Sequence, residues 1–204
     1  MTGGITEIRR YEAPPVCRGE ILRYMGCHEE TAELRAMIDR AVAACEGKLT
    51  YEVCFRLFPV EVCGDEVDLS FFRVKSAALA RRLEGCSHAV VFAATVGLAL
   101  DRLILRHSRL APSMAVCLQA YGAERIEALC DRFTAELGKR YTTRPRFSPG
   151  YGDLPLWVQT PILQALDAPR GIGVTLNESL LMSPSKSVSA IVGIQEGSVT
   201  DERT

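Results

Sequence analysis

The chain has 204 residues, of which 48% are hydrophobic and 24% charged, enough apolar material for the core of one large domain or two small ones. Its 24 basic and 25 acidic residues leave a formal net charge of -1, without the basic excess that a nucleic-acid-binding face needs. No apolar run approaches the roughly 20 residues of a membrane span, and the N-terminal MTGGITEIRR lacks the apolar stretch of a signal peptide, so the expected compartment is the cytoplasm, with neither membrane nor nucleic acid as partner.

The first 20 residues carry Pro14, Pro15 and Gly19 and read as an irregular N-terminal arm. From Glu29 to Glu46 the pattern is helical: Leu34, Met37, Ile38, Ala41, Val42 and Cys45 form one apolar stripe, and Gly47 stops it. Tyr51 to Phe58 alternates, with Tyr51, Val53, Phe55 and Leu57 on one side, which predicts a strand. Gly64-Asp65 marks a turn and Glu66 to Phe72 a second strand, so the two strands are expected as a hairpin. Ser76 is placed to cap a short helix over Ala77 to Leu83, which Gly85 ends. Ala89 to Ala94 is a continuous apolar run of strand length, followed by a turn at Thr95-Val96-Gly97 and a helix over Leu98 to His107.

A longer helix is predicted over Ser113 to Leu137, with Leu118, Ile126, Leu129, Phe133 and Leu137 facing the core. Pro145, Pro149, Gly150 and Gly152 then mark a loop. Asp153 is placed to cap a short helix with Pro155 in its first turn, and a second helical segment runs from Thr160 to Leu166. Gly173 to Leu176 and Ser187 to Ile194 read as strands joined by a turn region, Met182 to Lys186. The last ten residues, 195–204, are a polar tail. With no repeat and no linker, the expectation is one α+β domain over residues 21–194, built on a largely antiparallel, twisted sheet with helices packed on it.

The eight cysteines show no CxxC pairing and no zinc-ligand spacing to the three scattered histidines. Most sit in apolar surroundings such as Val53-Cys54-Phe55 and Val116-Cys117-Leu118, as reduced core thiols do. No metal site is expected.

Arg146-Phe147-Ser148-Pro149-Gly150-Tyr151-Gly152-Asp153 is the most informative stretch. Pro149 fixes a backbone torsion, and Gly150 and Gly152 allow unusual ones, so the loop can present backbone amides at close range. It also holds a guanidinium five residues from a phenol ring. The fork of arginine matches a carboxylate, and the face of tyrosine attracts a cation. A zwitterionic ligand bearing a sulfonium would suit both, while on the residues alone a purely structural loop fits as well.

This stretch resembles the RxxPGY motif by which activation domains of cobalamin (vitamin B12)-dependent methionine synthase hold S-adenosylmethionine. Gly173 to Ser179 (GVTLNES) is similar to that family's GxxLTES segment, and Met182-Ser183-Pro184 and Ser187-Val188-Ser189 are similar to its MxP and SVS pieces, in the same order. Upstream, Glu127 to Phe133 (EALCDRF) resembles the family's EAxAERL helix. Ile21 to Tyr24 and Gly85 to Ile104 resemble segments of short, free-standing relatives.

The resemblance implies the fold of that activation domain. It implies an S-adenosylmethionine site in which Arg146 grips the ligand carboxylate and the Ser148 backbone meets the adenine or ribose, with alanine more usual there. Gly150 is among the residues that bind the ligand, Tyr151 lies near the sulfonium methyl, and Glu127 meets the cationic end. By its position alone Glu127 also reads as a solvated helix charge, and Asp101 reads as a helix charge beside Arg102.

The implied activity is methionine biosynthesis support. The module supplies the methyl group for reductive remethylation of cob(II)alamin on a separate methionine synthase or other corrinoid protein, with an electron from a flavodoxin-like donor. The chain has no DxHxxG cobalamin motif, so cobalamin is expected only through the partner. No residue is assigned a catalytic role, since such a module acts by positioning and as a methyltransferase only in complex. Two alternatives stand beside this: a docking protein that has lost the ligand, and an independent S-adenosylmethionine-dependent methyltransferase.

Overall fold

The apolar run at Ala89–Ala94 lies inside β6 (Cys86–Thr95), a central strand of a four-stranded sheet. A computed structural model describes residues 5–195. In chain order its elements are β1 (Glu7–Arg10), α1 (Arg18–Met25), α2 (Ala32–Cys45), β2 (Glu52–Pro59), β3 (Glu61–Cys63), β4 (Glu66–Asp68), β5 (Arg73–Lys75) and α3 (Ala77–Leu83). After β6 come α4 (Ala99–Leu110), α5 (Pro112–Gly138), a 3-10 turn (Leu156–Val158), α6 (Gln159–Ala165), α7 (Ala168–Ile172), β7 (Thr175–Leu176), β8 (Met182–Ser183) and β9 (Ser187–Gln195). The fold is α+β, and the main sheet, ordered β1-β2-β6-β9, is antiparallel at every pairing.

Both faces of this sheet are covered. Val90, Phe92 and Ala94 point into one core with Val53 and Phe55 of β2 and the buried face of α5, while Ala89, Val91 and Ala93 point into a second core with residues of α3, α6 and α7. Burial on both sides is why β6 reads as an unbroken apolar run although its neighbours are antiparallel. The same reason buries side chains on both sides of β2: Cys54 and Phe58, on the side opposite Val53 and Phe55, are buried too. The five residues expected on the core face of α5 are all buried, and Ser76 caps α3 by accepting the Leu79 N–H at 3.1 Å.

Several expectations are corrected by the tertiary pairing. The Gly64-Asp65 turn joins β3 to β4 in a separate three-stranded sheet, whereas β2 pairs with β1 and β6. The stretch read as an arm contains β1, an edge strand registered against β2 through Glu7 with Phe55, and the first turn of α1. β7 pairs with β8, and β9 instead lies along β6. Residues 168–172 form α7, a helix beyond those expected from the sequence. Of the expected polar tail, Gln195 ends β9 and residues 196–204 lie outside the described residues.

Candidate functional site

The Arg146 loop is held like a fifth strand beside β9. The Gln195 N–H donates to the Thr142 carbonyl at 3.0 Å, the Arg144 N–H donates to the Gly193 carbonyl at 2.8 Å, and Phe147 and Ile191 exchange both backbone bonds at 2.9 Å. Strand-like alternation then sends successive side chains to opposite faces. Arg146 reaches α5, while Phe147 packs against the second core.

Beyond Phe147 the chain turns tightly. The Tyr151 N–H donates to the Ser148 carbonyl at 3.2 Å and the Gly150 N–H to the Leu154 carbonyl at 2.9 Å. Gly152 has a φ of 56°, and a Cβ there would lie 3.1 Å from the Ala78 Cβ, so the loop sits directly on α3. Asp153 secures it. Its carboxylate accepts from the Ser76 hydroxyl at 2.5 Å and from the N–H groups of Ala77 and Ala78 at 2.8 and 3.1 Å. The expected cap is therefore real but acts on α3, because a carboxylate satisfies whichever free helix N–H groups the fold brings to it.

Arg146 is shared by two carboxylates one helical turn apart on α5. Its Nη2 donates to Glu127 Oε2 at 2.5 Å and its Nη1 to Asp131 Oδ1 at 2.6 Å. Burial disfavours the guanidinium charge, but the hydrogen bond to Asp131, with the neighbouring Cys130 thiol and the Glu127 and Asp131 carboxylates, raises its pKa above the ordinary arginine value. Glu127 is thus neither an isolated helix charge nor set apart from the arginine.

Arg146, Glu127, Ser148 and Tyr151 open onto one cleft of about 530 Å³. Leu180, Leu181 and Met182 line it too, as do Ser187, Val188 and Ser189 of β9. Tyr151 is exposed. Gly150 is outside the lining, with its N–H engaged by Leu154. The Ser189 hydroxyl is buried without a hydrogen-bond partner among the described residues. Asp101 accepts from the backbone N–H and the hydroxyl of Ser185, another lining residue, so it holds the cleft wall instead of standing as a free helix charge.

Five lining residues escaped the sequence reading: Arg82, Leu156, Gln159, Leu180 and Leu181. The Leu180 wall is built by Asn177, whose side-chain oxygen accepts the Ser179 and Leu181 N–H groups, each at 2.9 Å. Gln159, almost fully buried, donates to the Leu180 carbonyl at 3.0 Å. Asn-x-Ser is a recognisable turn signal, but nothing local relates Gln159 to a carbonyl 21 residues away. Five cysteines are buried, and burial pushes the Cys45 thiol up to about 11 and Cys54 up to about 12.

Neither protein-family models nor curated proteins match the sequence. Among solved structures the fold is similar to the MetH reactivation domain bound to AdoHcy, with a TM-score of 0.69 over 96% of this chain and 81% of that one, at 15% identity. At that identity the likeness is one of fold. No helix among the described residues is long and apolar enough to cross a membrane.

Proposed function

We propose that the chain is an S-adenosylmethionine-binding reactivation module that acts on a corrinoid carried by a separate protein, a methionine synthase or a related methyltransferase. The observation that carries this reading is the single cleft that gathers Arg146, Glu127, Ser148 and Tyr151. The fold likeness to a domain that binds AdoHcy supports it. The residues fit the ligand: a cleft of this size lies within the roughly 300–1,000 Å³ common for small-molecule sites. The amino-acid end needs one cation and one anion side by side, which Arg146 and Glu127 provide. The orphaned Ser189 hydroxyl offers one further polar contact.

S-adenosylmethionine would supply an activated methyl group there, and the chain's own residues would bind and orient it. Arg146 would keep Asp131 and receive the ligand carboxylate, while Glu127 turns from Arg146 to the ligand ammonium. The Ser148 backbone would meet the adenine or ribose. Gly150 would act only by shaping the loop. Tyr151, exposed beside the cleft, would offer its ring face to the sulfonium. No lining residue is assigned as a general base, which favours a positioning module over an independent methyltransferase. The electron donor is expected to be flavodoxin-like, cobalamin to arrive only with the partner, and the compartment to be the cytoplasm.

Calorimetric titration with S-adenosylmethionine tests the reading. Wild type should bind one equivalent. Arg146→Ala should weaken binding by about tenfold or more, at the low end for a charge-assisted pair because Arg146 is partly exposed. Arg146→Lys should recover only part, since a point charge cannot form the fork. A ligand lacking the carboxylate should bind wild type and Arg146→Ala about equally. A folded wild-type chain with no measurable affinity would support the docking-protein alternative, and an Arg146→Ala variant with full affinity would remove Arg146 from the site.

A further inference from the structure

Arg82 and Phe147 line the cleft and also a second cavity of about 390 Å³, whose remaining walls are Ala78, Arg81, Arg144 and Pro145. Three of its residues are therefore arginines and none is acidic. Among the described residues none of the three forms an ion pair, in contrast to Arg146 with its two carboxylates. The Arg144 Nε is buried and has no hydrogen-bond partner among the described residues. The guanidinium carbon of Arg82 lies 5.9 Å from the centre of the Phe147 ring.

Helix chemistry accounts for part of this arrangement. Arg81 and Arg82 occupy the last turn of α3, where cations are favoured, and Arg144 Nη2 donates to the Glu84 carbonyl at 3.2 Å. One N–H of Arg144 serves that cap. Three arginine side chains then line one concave space with no carboxylate among its walls, an arrangement that an anion stabilises.

We propose that this cavity is an anion subsite that takes a phosphate group, held by Arg81, Arg82 and Arg144 beside the Phe147 ring. Planar guanidinium groups match phosphate oxygens in pairs, and a phosphate answers three cations better than a single carboxylate does. The subsite stands on its own residues. Its link to the cleft through Arg82 and Phe147 rests on the S-adenosylmethionine reading, and through that link a phosphorylated molecule could span both spaces.

The full chain is titrated with inorganic phosphate and, separately, with adenosine 5′-monophosphate, at constant ionic strength, by calorimetry and phosphorus NMR. Saturable one-to-one phosphate binding is expected. Arg82→Gln and Arg144→Gln should each weaken it about tenfold or more, as the loss of a charge-assisted contact implies. Arg109→Gln, an exposed position on α4, should leave it unchanged. If the nucleotide binds more tightly than phosphate and competes with S-adenosylmethionine, the natural phosphate belongs to a molecule reaching into the cleft. If both bind alike, free phosphate is the ligand. Absence of saturable binding, or binding that Arg82→Gln leaves intact, overturns the subsite. Because Arg144 also caps α3, Arg82→Gln keeps the test open if Arg144→Gln does not fold. Phosphate binding without S-adenosylmethionine binding would reject the cleft reading and keep the subsite, and the converse result would do the opposite.

Discussion

Asp153 joins the Arg146 loop to α3 through three hydrogen bonds, the first from the Ser76 hydroxyl, and these hold its carboxyl below the usual aspartate range. A group whose pKa is depressed on folding contributes its stability above the unfolded pKa and loses it as pH falls through the folded one. Asp153→Asn should therefore lower the melting temperature at neutral pH. The gap to wild type should close as pH drops below the ordinary aspartate value of about 4. A gap independent of pH would show that the charge is not what holds the loop. At Glu127, the proposed exchange from Arg146 to the ligand makes a sharper demand. Glu127→Gln should weaken S-adenosylmethionine binding several-fold, on the order of one charged contact at a partly exposed site. It should leave binding of an analogue without the amine unchanged, and calorimetry with both ligands measures the difference. Equal weakening of both would place Glu127 in loop structure alone.

At the scale of elements, α5 carries both the core and the acidic half of the site. Its Phe133 is fully buried between Phe55 and Phe92, with ring centroids 5.1 and 4.9 Å away. Glu127, six residues earlier, and Asp131, two residues earlier, meet Arg146 on another side of the same helix. Phe133→Ala should cost about 3–5 kcal/mol in urea unfolding, through lost burial and the cavity left behind. A cost under about 1 kcal/mol would mean that the neighbouring helices collapse onto the space. Gly122 of the same helix explains how close α4 comes. A Cβ there would lie 2.4 Å from Leu100 Cδ2 and 3.0 Å from two carbons of Lys186. Burial of Lys186 against this notch lowers its pKa, with the Asp101 charge opposing the shift.

Across the whole molecule, the N-terminal segment is tied to α5 by a buried ion pair. Arg125, fully buried, donates to the carbonyls of Pro14 and Pro15 and to Glu124, while Glu124 accepts the Cys17 N–H at 2.9 Å. The two prolines cannot offer N–H groups, so their carbonyls are the only backbone handles there. Removing one partner of such a pair strands a buried charge. Arg125→Ala should destabilise the chain by about 3–5 kcal/mol, and replacing both partners by apolar residues of similar volume should recover part of that. Denaturant unfolding of the two variants decides: equal losses in both would mean that the carbonyl contacts, not the charge pair, matter.

Local pattern determined much of this molecule. The apolar stripe of α2, the run of β6, the Ser76 cap and the core face of α5 are written in spacings of a few residues, because helix and strand periods are local properties. The RFSPGY loop also announced itself by its composition, and the structure brings Arg146, Ser148 and Tyr151 with Glu127 to one cleft. Tertiary structure alone decided which strand pairs with which. The Gly64-Asp65 turn names a hairpin, but only packing shows that its partners are β3 and β4, since β2 is already flanked by β1 and β6. Tertiary structure also turned Asp153 toward α3, gave Arg146 to Asp131 as well as Glu127, and set Arg82 beside Phe147. Those contacts join residues far apart in the chain, and no residue's own neighbours carry information about a partner that only folding brings near.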